Sequence, residues 1–193
     1  MVPKAGSRAL GIAASDAADR SQLCGAVVRA DRVVDDLVFA TCTTGGSDAT
    51  AAYRGLWDRL DRPDVQWLLL AGVAPAWFNL VDLDTLAAHA DRPVIAVAFE
   101  ASDGLETPIR EQFDGDERDR RLDVYRRLPP RTRLSMGDEV VFVRAVGVDT
   151  DGAADVVRAF TPDGRGRPEP LRVARLAARA AREWLDRPEN TEG

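Results

Sequence analysis

Apolar residues recur along this chain in three rhythms, and each predicts a different kind of element. The first third holds short apolar runs: Arg8-Ala9-Leu10-Gly11-Ile12-Ala13-Ala14, Leu23-Cys24-Gly25-Ala26-Val27-Val28-Arg29, and Val33 to Thr43. The last two are rich in β-branched residues, and Ala30-Asp31-Arg32 between them suits a hairpin turn. A polar stretch from Ser15 to Ser21 separates the first run from the second. Gly45-Gly46-Ser47-Asp48 breaks this pattern and offers Ser47 or Asp48 as an N-cap. Beyond it, Ala49, Ala52, Tyr53, Leu56, Trp57 and Leu60 fall at helical spacing. The third rhythm is continuous apolarity, in Val65 to Ala71, closed by Gly72, and in Pro93 to Phe99. Such runs predict strands covered on both faces, as in the centre of an α/β sheet.

A short helix is expected from about Asp82 to Ala90, between those two strands. Residues Glu106 to Leu128 read as a charged helical pair around Phe113-Asp114-Gly115, a solvated insertion rather than a binding surface. Arg131 to Met136 and Glu139 to Val148 form a hairpin pattern around Gly137-Asp138. Helices are expected over Asp151 to Phe160 and Glu169 to Leu185, and Arg187 to Gly193 reads as a polar tail. The order βββαβαβ predicts one α/β domain over residues 1–186, with a ribonuclease-H-like mixed sheet and helices on both faces. An additional hairpin and C-terminal helices complete it. A doubly wound nucleotide-binding fold would alternate from the start, and no GxGxxG is present.

Composition sharpens this. Hydrophobic residues make up 45% of the 193 and charged residues 30%, which are globular values. The N-terminal segment has no apolar run of a secretory signal, and Trp67 to Val81 is too short and too interrupted to span a bilayer, so a soluble cytoplasmic protein is expected. Cys24 and Cys42 lie within expected strands and read as buried free thiols. His89 is the only histidine, and no CxxC spacing exists, so a structural zinc site is not expected. The basic residues are arginines except for Lys4, and the net charge is −6. That balance argues against a broadly basic nucleic-acid face. An Asp-rich, Lys-poor chain also suits concentrated salt, where the Debye length falls to about 3 Å and only a local arginine cluster would attract an anion.

Several segments together resemble the archaeal proteins related to endonuclease V, some of them called endonuclease dU. They are Arg8-Ala9-Leu10-Gly11-Ile12, Gly25-Ala26-Val27-Val28-Arg29, Gly46-Ser47-Asp48-Ala49-Thr50, Gly72 to Leu83, Pro93-Val94-Ile95 and Pro168-Glu169-Pro170-Leu171-Arg172-Val173-Ala174. They occur in order and span nearly the whole chain. The resemblance implies a metal-dependent endonuclease acting on DNA or RNA near deaminated bases, with carboxylates from different strands holding Mg²⁺ at one end of the sheet. It places an aspartate after Gly11-Ile12, another before Gly72, and a histidine or aspartate three residues after Arg172. This sequence has Ala13, Ala71 and Arg175 at those positions.

Two main readings follow. In the first, the metal site is degenerate, no cofactor is expected, and the protein binds nucleic acid or a protein partner, with Asn79, Glu169, Arg172 and Arg175 as binding candidates. In the second, Mg²⁺ is held by substitutes such as Asp16, Asp48 and Asp82, and DNA is cleaved near deoxyuridine or deoxyinosine in repair. Each substitute also has an ordinary role: Asp48 and Asp82 as N-caps, Asp16 in an exposed turn. Asn79 either contacts a ligand or stabilises its loop, and Arg172 either meets a phosphate or pairs with Glu169. With Arg167 beside them, Arg172, Arg175, Arg179 and Arg182 form approximately one helical stripe, either a solvated face or a phosphate-tracking surface. A third reading, a small-molecule pocket around Trp77, Phe78 and Asn79, rests on two aromatics expected to be core. The oligomeric state is left open.

Overall fold

The computed structural model describes residues 2–137 and 139–187. Asp138 of the expected turn and residues 188–193 of the expected tail lie outside them. The elements run β1 (Arg8–Ser15), β2 (Arg20–Arg29), β3 (Val34–Thr43), α1 (Ala49–Leu60), β4 (Val65–Ala71), α2 (Pro75–Phe78), α3 (Leu83–Ala90), β5 (Val94–Ala98), α4 (Glu106–Gln112), α5 (Gly115–Arg127), β6 (Thr132–Met136), β7 (Glu139–Val146), α6 (Thr150–Ala159) and α7 (Glu169–Leu185).

The strands form one sheet in the order β3-β2-β1-β4-β5-β7-β6. The first three are antiparallel neighbours, whereas β4 runs parallel to β1 and β5 parallel to β4. This is the expected ribonuclease-H-like core. The β6–β7 hairpin extends that same sheet, because β7 pairs antiparallel with β5.

Strand alternation sorts the core into two faces. Leu10, Ile12, Leu23, Leu68 and Leu70 face α1 and α3, meeting Tyr53, Leu56 and Leu86. Ala9, Leu69, Ile95 and Val97 face the other way, onto Val156, Val157 and Phe160 of α6 and Leu171 of α7. Cys24 and Cys42 are buried free thiols, and desolvation pushes each up to about 12, so neither is a ready nucleophile or ligand.

Three differences from the sequence expectation have local causes. Strand β2 begins at Arg20 rather than Leu23, because its buried polar residues have partners: Ser21 Oγ donates to Asp16 Oδ1 at 2.9 Å, and Gln22 Nε2 to the Ala40 carbonyl at 2.8 Å. The 106–128 segment is not merely solvated. Ile109, Phe113 and Leu122 pack with Leu80, and Arg121 is buried, donating to the carbonyls of Gly45, Gly46 and Phe78. The α2 turn was not expected at all: Ala76, Trp77 and Phe78 all take positive φ, the left-handed region that disfavours residues with a Cβ.

At Gly11 the helical layer comes close enough to the sheet to leave no room for a side chain. A Cβ there would lie 2.3 Å from the Pro170 carbonyl carbon and 2.4 Å from its oxygen. The backbone of α7 therefore rests directly on β1. Gly11→Ala must displace backbone, and overpacking of this kind costs about 2–3 kcal/mol. A thermal melt should fall by roughly 4–12 °C for a chain of this size, while Gly6→Ala, whose new Cβ meets nothing within 4 Å, should leave it unchanged.

Candidate functional site

The carboxyl ends of the parallel strands β1, β4 and β5 open onto one edge of the sheet, where open α/β folds place their ligands. Two clefts lie there. One, of about 540 Å³, is lined by residues including Ala14, Ser15, Asp16, Ala71, Arg167, Arg172, Arg175 and Arg179. The other, of about 470 Å³, is lined by Ala71, Gly72, Phe99, Glu100, Tyr125, Arg131, Phe142, Arg144, Arg167 and Arg175 among others. Ala71, Ala74, Arg167 and Arg175 border both.

The three positions that sequence resemblance singled out converge here. The parallel register that sets Ile12 beside Leu70 carries Ala13 and Ala71 to the end of the same strand pair. Both pack with Ala174 of α7, and Ala13 is fully enclosed there. The next residue, Arg175, borders both clefts, beside the small side chains of Ala71 and Ala74.

The acidic candidates do not converge. Asp16 is exposed and accepts the Ser21 hydroxyl. Asp82 caps α3, accepting Thr85 N–H at 3.0 Å, and pairs with Arg127 at 3.2 Å. Asp48 stands at the N-cap position of α1 but makes no side-chain cap bond. Its carboxylate accepts Thr43 N–H at 3.0 Å, the Thr43 hydroxyl at 2.9 Å and the Asn79 amide at 2.6 Å. Among the described residues, no three His, Cys, Asp or Glu side chains come together as a metal-binding group.

Asn79 is completely buried, and its amide is used internally. Oδ1 accepts Ala49 N–H at 2.9 Å, so Asn79 supplies the cap that Asp48 does not, and Nδ2 donates to the Thr43 carbonyl at 2.8 Å as well as to Asp48. Asn79 thus ties α2 to the start of α1 and turns nothing toward either cleft. Trp77, expected in the core, is half exposed and stacks on Phe78 and Phe113; neither cleft is lined by Trp77, Phe78 or Asn79.

The arginines divide by partner. Glu169 accepts both Arg172 Nε at 2.8 Å and Nη2 at 2.5 Å, a bidentate pair that holds the Glu169 carboxyl below the usual range. Arg182 donates to Ser15 Oγ at 3.0 Å, and Arg179 lies 3.7 Å from Glu183. Arg131 and Arg144 are fastened to backbone carbonyls, Arg131 over the Phe142 ring and Arg144 against Tyr125. Among the described residues, Arg167 and Arg175 have neither a hydrogen-bonded nor an ion-paired carboxylate. Arg167 stacks on Phe99 with its guanidinium carbon 3.9 Å from the ring centre. Desolvation, then the nearby Arg175 charge, push its pKa down, against a pull from Glu139. Arg131 and Arg144 escaped the sequence reading because β6 and β7 reach this edge only through the fold. The available signal was a charged residue inside the apolar run Val140 to Val146.

Fold and edge together define a ribonuclease-H-like α/β scaffold with an arginine-lined cleft at the carboxyl ends of its parallel strands. The family model for endonuclease dU matches residues 5–182, and the chain belongs to that family. A UPF0215 protein of Pyrobaculum aerophilum is 34% identical over 167 residues, 86% of this chain and 88% of its own length. An Archaeoglobus fulgidus protein of unknown function superposes with TM-score 0.80 at 23% identity, covering 90% of this chain and 97% of that one. Endonuclease V of Ciona intestinalis, solved with a 24-mer DNA containing inosine, superposes with TM-score 0.61 at 14% identity, over 93% and 87% of the two chains.

The Asp48 clamp has a pH signature. Desolvation pushes its pKa up, but the Asn79 amide and Thr43 outweigh it and hold the carboxyl below the ordinary value. A depressed folded pKa contributes stability that is present above the unfolded value, about 3.9, and lost as pH falls through the folded value. Urea melts should therefore show wild type more stable than Asp48→Asn at pH 7, with the gap closing below about pH 4.

Proposed function

We infer that this member of the endonuclease dU family holds nucleic acid by its phosphates without metal-dependent cleavage. The observation that carries the reading is the edge itself: Ala71, Arg167 and Arg175 border both clefts, and Ala13 is buried in the cluster with Ala174, the residue before Arg175. Mg²⁺ takes oxygen ligands and depends on carboxylates for affinity. Methyl groups supply no ligand, and a guanidinium stays protonated and repels a cation. The side chains at these three positions therefore do not fit the ion that the family implies.

What the edge can do is bind an anion. A guanidinium offers a planar fork of donors that matches phosphate oxygens, and Arg167 and Arg175 have theirs uncommitted among the described residues. DNA is what the endonuclease V of Ciona intestinalis was solved with, which supports nucleic acid as the source of that phosphate over a protein partner.

Labelled oligonucleotides containing deoxyuridine or deoxyinosine, in Mg²⁺ or Mn²⁺, test this. Wild type should retain them on a native gel and leave them intact. Arg175→Ala should weaken binding about 3- to 10-fold and lower the slope of log K against log salt by about one. Metal-dependent cleavage that purifies with the protein and is lost in Asp16→Ala, Asp48→Ala or Asp82→Ala would overturn the reading.

A further inference from the structure

The two clefts are not equivalent. The 540 Å³ lobe has a polar wall from the end of β1 and the arginine face of α7, with Asp16 as the one acidic lining residue among those described. The 470 Å³ lobe is walled by aromatic rings, Phe99, Tyr125 and Phe142, each faced by an arginine, with Glu100 as the one acidic lining residue among those described. Both volumes lie within the range of small-ligand pockets. Arg167 and Arg175 stand on the rim the lobes share.

Two like charges that repel one another and, among the described residues, lack carboxylate partners thus border both lobes. One is partly desolvated against Phe99, and the Glu139 charge offsets the repulsion from beyond ion-pairing distance. An internal phosphodiester carries one negative charge. A terminal phosphate monoester carries about −1.5 to −2 at pH 7 and has three free oxygens, enough for two guanidinium forks. In the lobe next to the rim each ring carries an arginine, and a base can stack on a guanidinium plane as on a ring, a contact tolerant of base identity.

We propose that the paired lobes bind the phosphorylated end of a nucleic-acid strand, with the terminal phosphate between Arg167 and Arg175 and the terminal base in the Phe99–Tyr125–Phe142 lobe. This rests on the phosphate-binding reading above and narrows its ligand from strand interior to strand end. Arg167 is pre-set for the role, since its stacking on Phe99 fixes the plane of the guanidinium. Arg131 and Arg144 wall the lobe, because their donors are already held by the Glu100, Ser102 and Pro129 carbonyls and by the Tyr125 hydroxyl.

The test uses one short single-stranded oligonucleotide, labelled internally, in three forms: both ends hydroxyl, 5′-phosphate, and 3′-phosphate. Anisotropy titrations in EDTA should show at least a tenfold tighter complex for one phosphorylated form, and which form gains identifies the end. Arg175→Gln and Arg167→Gln should each erase that preference, so that within each variant the phosphorylated and hydroxyl-ended forms bind alike, while hydroxyl-ended binding itself falls about 3- to 10-fold. Arg175 is exposed, so its variant keeps the test valid if Arg167→Gln proves unstable. Equal affinity for all three forms would overturn the proposal and leave the nucleic-acid reading standing. A preference that survives in both variants would reflect general attraction and would also overturn it. Failure of every form to bind would overturn both.

Discussion

The seating of Pro170 on Gly11 is the contact on which the rest of the site depends. With no side chain at position 11, the first turn of α7 lies directly on β1, and the residues beneath the helix are small: Ala13, Ala26 and, from the helix itself, Ala174. Pro168 fixes the entry of the chain, and Glu169 N–H reaches back to the Phe160 carbonyl at 2.8 Å, so α6 and α7 enter the same face as a pair. That close approach sets Ala174 into the cluster with Ala13 and leaves the next residue, the exposed Arg175, on the border of both clefts. The Pro168-Glu169-Pro170 motif acts through packing, and its acid is taken up by Arg172 in the same helical turn.

A second set of contacts shapes the opposite bank of the cleft. Asn79, Asp48 and Thr43 form a closed cluster, and Arg121 reaches across from α5 to the Gly45 and Gly46 carbonyls. Between them is the left-handed turn at Ala76, Trp77 and Phe78, held by the Gly45 N–H bond to the Ala76 carbonyl at 2.7 Å. Gly45 has no room for a side chain, since a Cβ would sit 2.8 Å from the Trp77 indole. Strain of this kind persists only where its surroundings over-determine it, and here buried hydrogen bonds and ring stacking do so. Pro75 and Ala76 in turn line the polar lobe.

Strands and long helices were legible because their periodicity is set by burial, which the chain carries residue by residue. Continuous apolar runs located β4 and β5, and the Gly11-Ile12, Gly72 and Pro168–Ala174 segments located the edge where they end. What was not legible depends on partners distant in sequence. Ser21 and Gln22 look like turn residues until Asp16 and the Ala40 carbonyl satisfy them. Asp48 has the composition of an N-cap, yet Asn79, thirty-one positions away, takes that role and turns the Asp48 carboxylate back to Thr43. The α2 turn lacks glycine and helical period alike, so nothing local marks it. The same holds for the aromatic lobe, assembled from β5, α5 and the β6–β7 hairpin.

Charge explains why the net value of −6 misleads about this edge. Some acidic groups elsewhere are spent on local pairs: Asp35 alone is within ion-pair distance of Arg8, Arg29 and Arg62. Arg167 and Arg175 have no such partner among the described residues, so their charges are left without a close counter-charge where the sheet ends. Salt screens long-range repulsion between the acidic surface and a polyanion, and it also weakens each guanidinium–phosphate contact by counterion release. A metal site attracts phosphate through a dication that carboxylates hold and that can also activate water. Fixed guanidiniums keep the attraction and cannot generate hydroxide. On the proposed reading, exchanging two carboxylates for methyl groups and a third ligand for Arg175 does not dismantle the site; it separates holding the strand from cutting it.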